Sequence, residues 1–433
     1  MFERLWQGLL AYADKLRHFQ PNARLYLANI VIAGAAFGIF RLLFNFYVLS
    51  LGEGYDEALL GQLVMVSSLA SMIGAFPAGY LSDRIGRKAS LVLSSATVSA
   101  SVLALVFWHT RPALYLLNAV IGLAQSLGGV SSGPFLMENS GEKERTYLFS
   151  FNAGLQTLAS SVGNVVGGLL PAWLGGALGV AATSSAAYGV AIAVVGGVSI
   201  LALLPLVLLK RAPGTYQVGG APLSPFQYLV QHPGMLLKLI GPQLVISVGA
   251  GLLMPFMNVF FRKTYQQADA TIGTLFALGS LTMGIGLIVA PPLADRWGKT
   301  RFVVITQALS IPFLVLLGFA PWFWLSAVAY LVRVALMNMS NPIYSTFVME
   351  QVESRARATV ASLSNMSWSV GWLISPWISG QLQVHYGFAP VYAGTISTYV
   401  IGIFLMWLFF VRKSGPRAAK AERITGPSVQ LKR

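Results

Sequence analysis

The chain has 433 residues, of which 55% are hydrophobic and only 10% charged, against roughly 25% charged in a soluble globular domain. A mean hydropathy of +0.67 excludes an ordinary water-soluble fold, so the formal charge of +15 reads as membrane topology rather than as a nucleic-acid surface. The absence of cysteine excludes disulfides, thiolate metal sites and cysteine nucleophiles.

Residues 1–23 interleave Glu3, Arg4, Asp14, Lys15 and Arg17 with Leu5, Trp6, Leu9, Leu10, Leu16 and Phe19. This is not the apolar core of a removable signal peptide, and it predicts an amphipathic helix on the inner membrane surface with Trp6 and Phe19 at headgroup depth. Apolar runs of about 20 residues follow. They predict spans at 24–50, 59–81, 89–108, 112–137, 147–173 and 185–209, then 236–261, 270–294, 302–320, 322–349, 358–380 and 386–411. Lipid offers no partner for backbone N–H and C=O groups, so the spans must be helices, and they are too long and too uniformly apolar for barrel strands. The expected fold is all-α and integral to the membrane, twelve transmembrane helices in two six-helix bundles at 24–209 and 235–411. Between them, 210–234 is a linker rich in Pro and Gly, within which Phe226–Val230 is expected to form a short interfacial turn of helix. The basic tail, 412–433, lacks an apolar face and is expected to be disordered near anionic headgroups.

The two bundles repeat one plan. Asp83-Arg84 in GYLSDRIGRK recurs as Asp295-Arg296 in PPLADRWGKT, 212 residues later. The same offset pairs Phe44 with Phe256, Gly61 with Gly273, Gly74 with Gly286, Gly86 with Gly298, Glu138 with Glu350, Arg145 with Arg357, Ser150 with Ser362 and Gly168 with Gly380. A gapless register of this length means two structurally equivalent halves, the plan of a transporter with its substrate between them. Lys and Arg gather at both termini, the linker and the loops after the second, fourth, eighth and tenth spans, whereas the opposite side receives only Arg111, Arg262 and Lys263. The positive-inside rule therefore places both termini and the linker in the cytoplasm.

Gly79–Lys88, GYLSDRIGRK, resembles the loop signature between the second and third helices of the major facilitator superfamily, and Ala294–Lys299 is its weaker copy. Span count, paired signatures and central linker extend the resemblance over nearly the whole chain. It implies a transporter that works by alternating access. Asp83 stands where a helix ends in a turn that Gly86 permits, beside Arg84 and Arg87, and a carboxylate there can bridge to a neighbouring helix. Glu138 with Arg145, and the copies Glu350 with Arg357, resemble the acidic-x6-arginine pairs of the superfamily's sugar porters. With Asp295, Arg296 and Gly298 they form the expected cytoplasmic gate, the alternative being static surface charge pairs. The sugar porters' pro-glu-ser-pro-arg form is absent. Gly154, Gly163 and Gly167 match part of the superfamily's antiporter glycine motif, and equally suit close helix packing.

With Arg24 and Lys238 at span ends assigned to the cytoplasmic side, only Arg41 and Arg333 remain within predicted spans, and an intramembrane charge is a functional candidate by default. Both lie roughly 14–16 Å from an outer span end at 1.5 Å per residue. In the superfamily the first, fourth, seventh and tenth helices line the cavity, so the resemblance puts both on lining helices. With Glu53, Asp56, Glu57 and Asp269 in outer loops, no carboxylate is an obvious partner, and a guanidinium can fork onto an anionic substrate group. The bland alternative is Arg41 snorkelling outward and Arg333 bonding carbonyls and water. Asn45, Asn118, Gln125, Gln243, Ser247, Asn258, Tyr330, Asn341 and Tyr344 complete the candidate substrate site, although each alone is more often a helix–helix hydrogen bond.

No carboxylate and no histidine lies inside a predicted span, which favours uniport or exchange over proton symport, with Asp269 at a loop edge keeping coupling open. Nothing in the sequence forms a phosphate loop, a metal cluster or a nucleophile motif, so neither cofactor nor enzymatic activity is expected. The leading expectation is a monomeric transporter in the cytoplasmic (inner) membrane that moves a small organic anion or amphiphile, with the bilayer and a small molecule as its partners and no nucleic acid. A multidrug efflux transporter is the alternative within transport. A non-transporting membrane sensor or scaffold is the alternative of another class, disfavoured by two retained gate sets.

Overall fold

The structure is a computed structural model that describes residues 19–210, 228, 230–353 and 356–412. The surface helix expected before residue 19, most of the linker and the basic tail lie outside the described residues. Phe19 itself does not lie on the protein surface. It is buried among Ala23, Tyr26, Leu27, Leu91, Phe135, Leu136, Leu148, Leu206 and Leu209, with Phe151 edge-on at 5.7 Å, because an aromatic ring at the start of the first span removes more apolar surface from water by filling that cluster.

Among the described residues twelve helical spans follow in two sets of six. The first set is α1 (Pro21–Leu49), α2 (Glu57–Ile85), α3 (Arg87–Phe107), α4 (Arg111–Glu138), α5 (Glu142–Leu178) and α6 (Ser185–Val207). The second is α7 (Pro233–Tyr265), α8 (Asp269–Trp297), α9 (Lys299–Phe319), α10 (Phe323–Glu350), α11 (Arg357–Tyr386) and α12 (Ala389–Val411). Eleven are long and apolar enough to cross a membrane. The other, α11, is 30 residues long but dilutes its apolar side chains with Ser362, Ser364, Asn365, Ser367, Ser369, Ser375, Ser379 and Gln383. It ends at Tyr386, six residues beyond its expected boundary, and α12 begins at Ala389 rather than 386.

Local chemistry sets the boundaries. Asp56 caps α2 by accepting from Leu59 N at 2.9 Å, and Ser184 caps α6 through Ala187 N at 3.2 Å. Between α2 and α3 Gly86 has φ 88°, and between α8 and α9 Gly298 has φ 81°, conformations that side chains oppose and glycine permits. Three spans are interrupted where proline removes a backbone donor, α6 among them at Ala202 ahead of Pro205. A 3-10 turn at Met254–Phe256, containing Pro255, divides α7, and the break at Met339–Ser340 just before Pro342 divides α10.

Packing repeats as the sequence does. The neighbour pairs α1 with α6, α3 with α4 and α3 with α6 recur as α7 with α12, α9 with α10 and α9 with α12. So does the outer surface: Ile73 and Ile285, 212 residues apart, are each 62% exposed, and Phe76 and Ile288, at the same offset, are each 78% exposed. Large apolar side chains left bare at equivalent places in both repeats mark lipid-facing surface. Helix α1 packs tightly on α5, where Gly163 and Gly167 let the backbone meet Ala35 and Ile39, while Gly154 has no neighbour close by.

Two compact units result, and they cut across the sequence halves. One comprises Met1–Gly220 with Met254–Leu281 and Leu373–Gly387; the other comprises Ala221–Leu253, Thr282–Trp372 and Phe388–Arg433. The first unit thus includes the start of α8, at the other end of that helix from Asp295, and the ends of α7 and α11.

Candidate functional site

In the first unit, Arg41 is exposed on α1 and enters none of the ion pairs among the described residues. Gln125 is exposed on α4. Asn45, one turn beyond Arg41, is instead buried: its Nδ2 donates to Pro255 O at 2.7 Å and to Asn258 Oδ1 at 2.9 Å, while Asn258 Nδ2 donates to Leu42 O at 2.8 Å. The carbonyl at the Pro255 break thus finds a donor, and the two asparagines lock α1 to α7. Asn118 is buried with its Nδ2 on Leu114 O of its own helix at 2.8 Å.

In the second unit, Arg333 is 2% exposed. Its Nη2 donates to Tyr399 Oη at 2.8 Å, and the guanidinium carbon lies 5.5 Å from the centre of that ring. Tyr399 in turn packs against Gly249 of α7. Tyr330 is buried one turn before Arg333, Tyr344 Oη donates to Leu239 O at 2.5 Å, and Asn341 is exposed and bonds only locally to Asn338. Gln243 belongs to a polar group that the sequence did not reveal. Ser247 Oγ donates to Leu244 O at 2.9 Å and lies 3.4 Å from Ser367 O, and the Gly371 backbone presses on it. On the same two helices, Gln243 Oε1, Ser367 Oγ and Trp372 Nε1 are enclosed without a hydrogen-bond partner among the described residues. Ser367, Trp372 and Tyr399 escaped sequence reasoning because Ser and Trp are ordinary in a span and Tyr399 lies on a helix not expected to line a cavity.

At the signature loops, Arg87 is the hub. It meets Asp83 at 2.5 Å, donates to Ser82 Oγ at 2.8 Å, and lies 3.7 Å from Glu138 at the end of α4. Ser82 is itself joined to Ser131 at 2.8 Å. Asp83 therefore bridges from the end of α2 to the first turn of the neighbouring span α3, and Glu138 faces Arg87 rather than Arg145. The reason is geometric: the Gly86 turn folds Arg87 back over the α2 and α4 ends. Lys88 donates to Val207 O and Leu209 O at 2.8 and 2.5 Å, satisfying the carbonyl end of α6. The repeat reproduces the hub with a shorter cation, Lys299 on Glu350, at positions 212 beyond Arg87 and Glu138. Arg357 Nε donates to Met349 O at 3.1 Å, and Arg84, Asp295 and Arg296 are exposed.

At the opposite end, Glu57 and Asp269 are not loop residues. Each occupies the first turn of its helix, buried, with Glu57 paired to Lys263 and Asp269 to Arg262. Acidic side chains are favoured there by the helix dipole, and burial requires the cations.

Two equivalent sets of membrane-spanning helices, with ion pairs at both ends and polar side chains along the spans, define a membrane transport protein. The chain belongs to the Major Facilitator Superfamily, whose family model matches residues 25–248 and 239–431. It is similar to multidrug resistance protein MdtG of Dickeya zeae, with 27% identity covering 90% of this chain and 95% of that one. The protein of the same name from Enterobacter lignolyticus is 23% identical over 97% of this chain and 99% of its own. Among solved structures, a bacterial homolog of the human lysosomal transporter Spinster, inward-facing and unoccupied, matches with a TM-score of 0.73 at 14% identity over 90% of this chain and 96% of that one. The nucleoside transporter NupG matches at 0.71 and 14% identity, over 90% and 99%.

Proposed function

We propose that this transporter exports amphiphilic organic compounds with an apolar, ring-bearing body and a few hydrogen-bonding groups, by alternating access between two six-helix bundles. The observation that carries this reading is the burial of Arg333. Held by Tyr399, it leaves Arg41 as the one exposed guanidinium of the two expected midway along predicted spans, which is less cationic capacity than two bare guanidinium groups would give. Gln243 Oε1, Ser367 Oγ and Trp372 Nε1 supply acceptor and donor capacity among apolar neighbours, the composition of a site for amphiphiles. The name shared by the MdtG relatives supports export of drug-like compounds over uptake of a nutrient.

A small organic anion is the second reading, favoured by Arg41 alone. One experiment separates the two. Purified protein is screened by thermal shift against hydrophobic ring compounds and small carboxylates, since a ligand stabilises by about RT ln(1 + [L]/Kd). Hits are then assayed for transport in proteoliposomes. Amphiphiles that stabilise and are transported by both wild type and Arg41→Ala support the first reading; transport confined to anions and lost in Arg41→Ala supports the second.

A further inference from the structure

The three cations that break the charge asymmetry of this chain, Arg111, Arg262 and Lys263, are all engaged. Arg111 donates to Gly54 O and lies 5.9 Å from the Tyr55 ring centre. The other two enter one cluster whose carboxylates are buried, with the Arg262 and Lys263 side chains 24% and 54% exposed. Arg262 pairs with Asp269 and stacks 3.7 Å over the Phe46 ring, with Tyr188 at 5.6 Å. Tyr188 Oη donates to the second oxygen of Asp269 at 2.8 Å, and Lys263 pairs with Glu57. Glu57 and Asp269 are 5% and 8% exposed, so their cationic partners stand in for the water they have lost.

The cluster is divided between the sequence halves in a telling way. Phe46, Glu57 and Tyr188 come from α1, α2 and α6; Arg262, Lys263 and Asp269 come from α7 and α8. Every polar or cation–ring contact named here except Arg262–Asp269 therefore crosses from one repeat to the other within the first compact unit. The carboxylates are equivalent under the 212-residue offset, whereas the positions equivalent to Arg262 and Lys263 are Ser50 and Leu51. One repeat thus supplies both cations. When the repeats part at this end, Lys263–Glu57, Tyr188–Asp269 and the stack on Phe46 must break, while Arg262–Asp269 travels as a neutral pair.

We propose that Lys263–Glu57, together with the Arg262–Asp269 pair docked on Phe46 and Tyr188, is the gate that closes the end of the transporter remote from the signature loops. The proposal is independent of substrate class. Its test uses the full chain, which has no native cysteine, with spin labels at Glu53→Cys and Tyr386→Cys and dipolar distance measurement in nanodiscs. Lys263→Glu is expected to shift the balance toward longer distances about 5- to 150-fold, the range of typical coupling energies. Glu57→Lys should do the same, and the double exchange Glu57→Lys with Lys263→Glu should return the distribution toward wild type. Tyr188→Phe, which keeps the ring and removes the donor, should shift it less. Where a charge reversal is not recovered as monodisperse protein, Lys263→Gln and Tyr188→Phe give the same readout. Unchanged distances in these folded variants, or a double exchange as open as its single parents, would overturn the gate. Neither result bears on which compounds are carried, because ligand-induced thermal shifts report that separately.

Discussion

Gly61 and Gly273, 212 residues apart, make the same contact: there is no room for a methyl group between Gly61 and the Pro376 carbonyl, or between Gly273 and the Asn164 carbonyl. Pro376 and Asn164 are themselves 212 apart. Gly168 and Gly380 continue the pattern against the backbones of Asp269 and Glu57. The parts of α2 with α11 and of α5 with α8 near Glu57 and Asp269 thus meet backbone to backbone, which bulkier residues would forbid.

Closure of that end should therefore be sensitive to a single methyl. Gly61→Ala and Gly273→Ala are expected to disfavour the closed arrangement by about 1–3 kcal/mol each, the usual cost of overpacking. The two sites share no partner, so the double variant should be close to additive. Labels at positions 53 and 386 would read the shift, and closed distances in both alanine variants would show that the helices have slack there.

The signature loop makes a graded prediction. Asp83 is 68% exposed, so its bridge to Arg87 contributes only about 0–1 kcal/mol and Asp83→Asn should leave thermal stability nearly unchanged. Arg87→Ala severs Asp83, Ser82 and Glu138 together and should cost about 1.5–3 kcal/mol. Gly86→Ala forces a side chain into a glycine-only conformation, at about 1–3 kcal/mol. Melting temperatures of the three variants, measured side by side, check the order; a larger loss in Asp83→Asn than in Arg87→Ala would remove Arg87 from the hub.

These contacts explain what the sequence could and could not reveal. Span positions, the all-α class and the repeat were legible because lipid imposes length and apolarity, and because an offset survives in glycines that packing holds fixed. Asn45, Asn118 and Asn258 were visible as polar residues in apolar runs, but not their partners. Tyr399 is 66 residues from Arg333 and Tyr188 is 81 from Asp269, separations that no local period encodes. Glu57 and Asp269 looked like loop acids because the first turn of a helix and the end of a loop have the same composition.

Orientation is open to a direct check. The bias of Lys and Arg predicts that a cysteine at position 216, in the linker, is shielded from an impermeant thiol reagent applied to intact cells and becomes reactive on permeabilisation. Labelling from outside would invert the assignment of the two ends, and with it the side on which the Lys263–Glu57 gate opens.

The two arginines of the spans should separate by phenotype. Arg333 is buried, bonded to Tyr399 and seated on its ring, so Arg333→Ala leaves the Tyr399 hydroxyl without this donor and opens a cavity, costing about 2–5 kcal/mol of stability. Tyr399→Phe removes the same bond while keeping the ring, and should cost about 1.5–3 kcal/mol. Because the two changes delete one interaction, their double variant should be less destabilised than the sum. Arg41, exposed and outside every described ion pair, should tolerate Arg41→Ala with a stability change within about 0.5 kcal/mol. Its loss should instead weaken recognition of ligands that carry a carboxylate or phosphate, by roughly 10- to 150-fold in affinity if the guanidinium bonds the anion. Chemical denaturation in detergent and ligand binding, run on the same four proteins, decide the matter. A stable Arg333→Ala with impaired anion binding, beside an Arg41→Ala that binds normally, would reverse the roles assigned to the two side chains and make Arg333 the recognition residue.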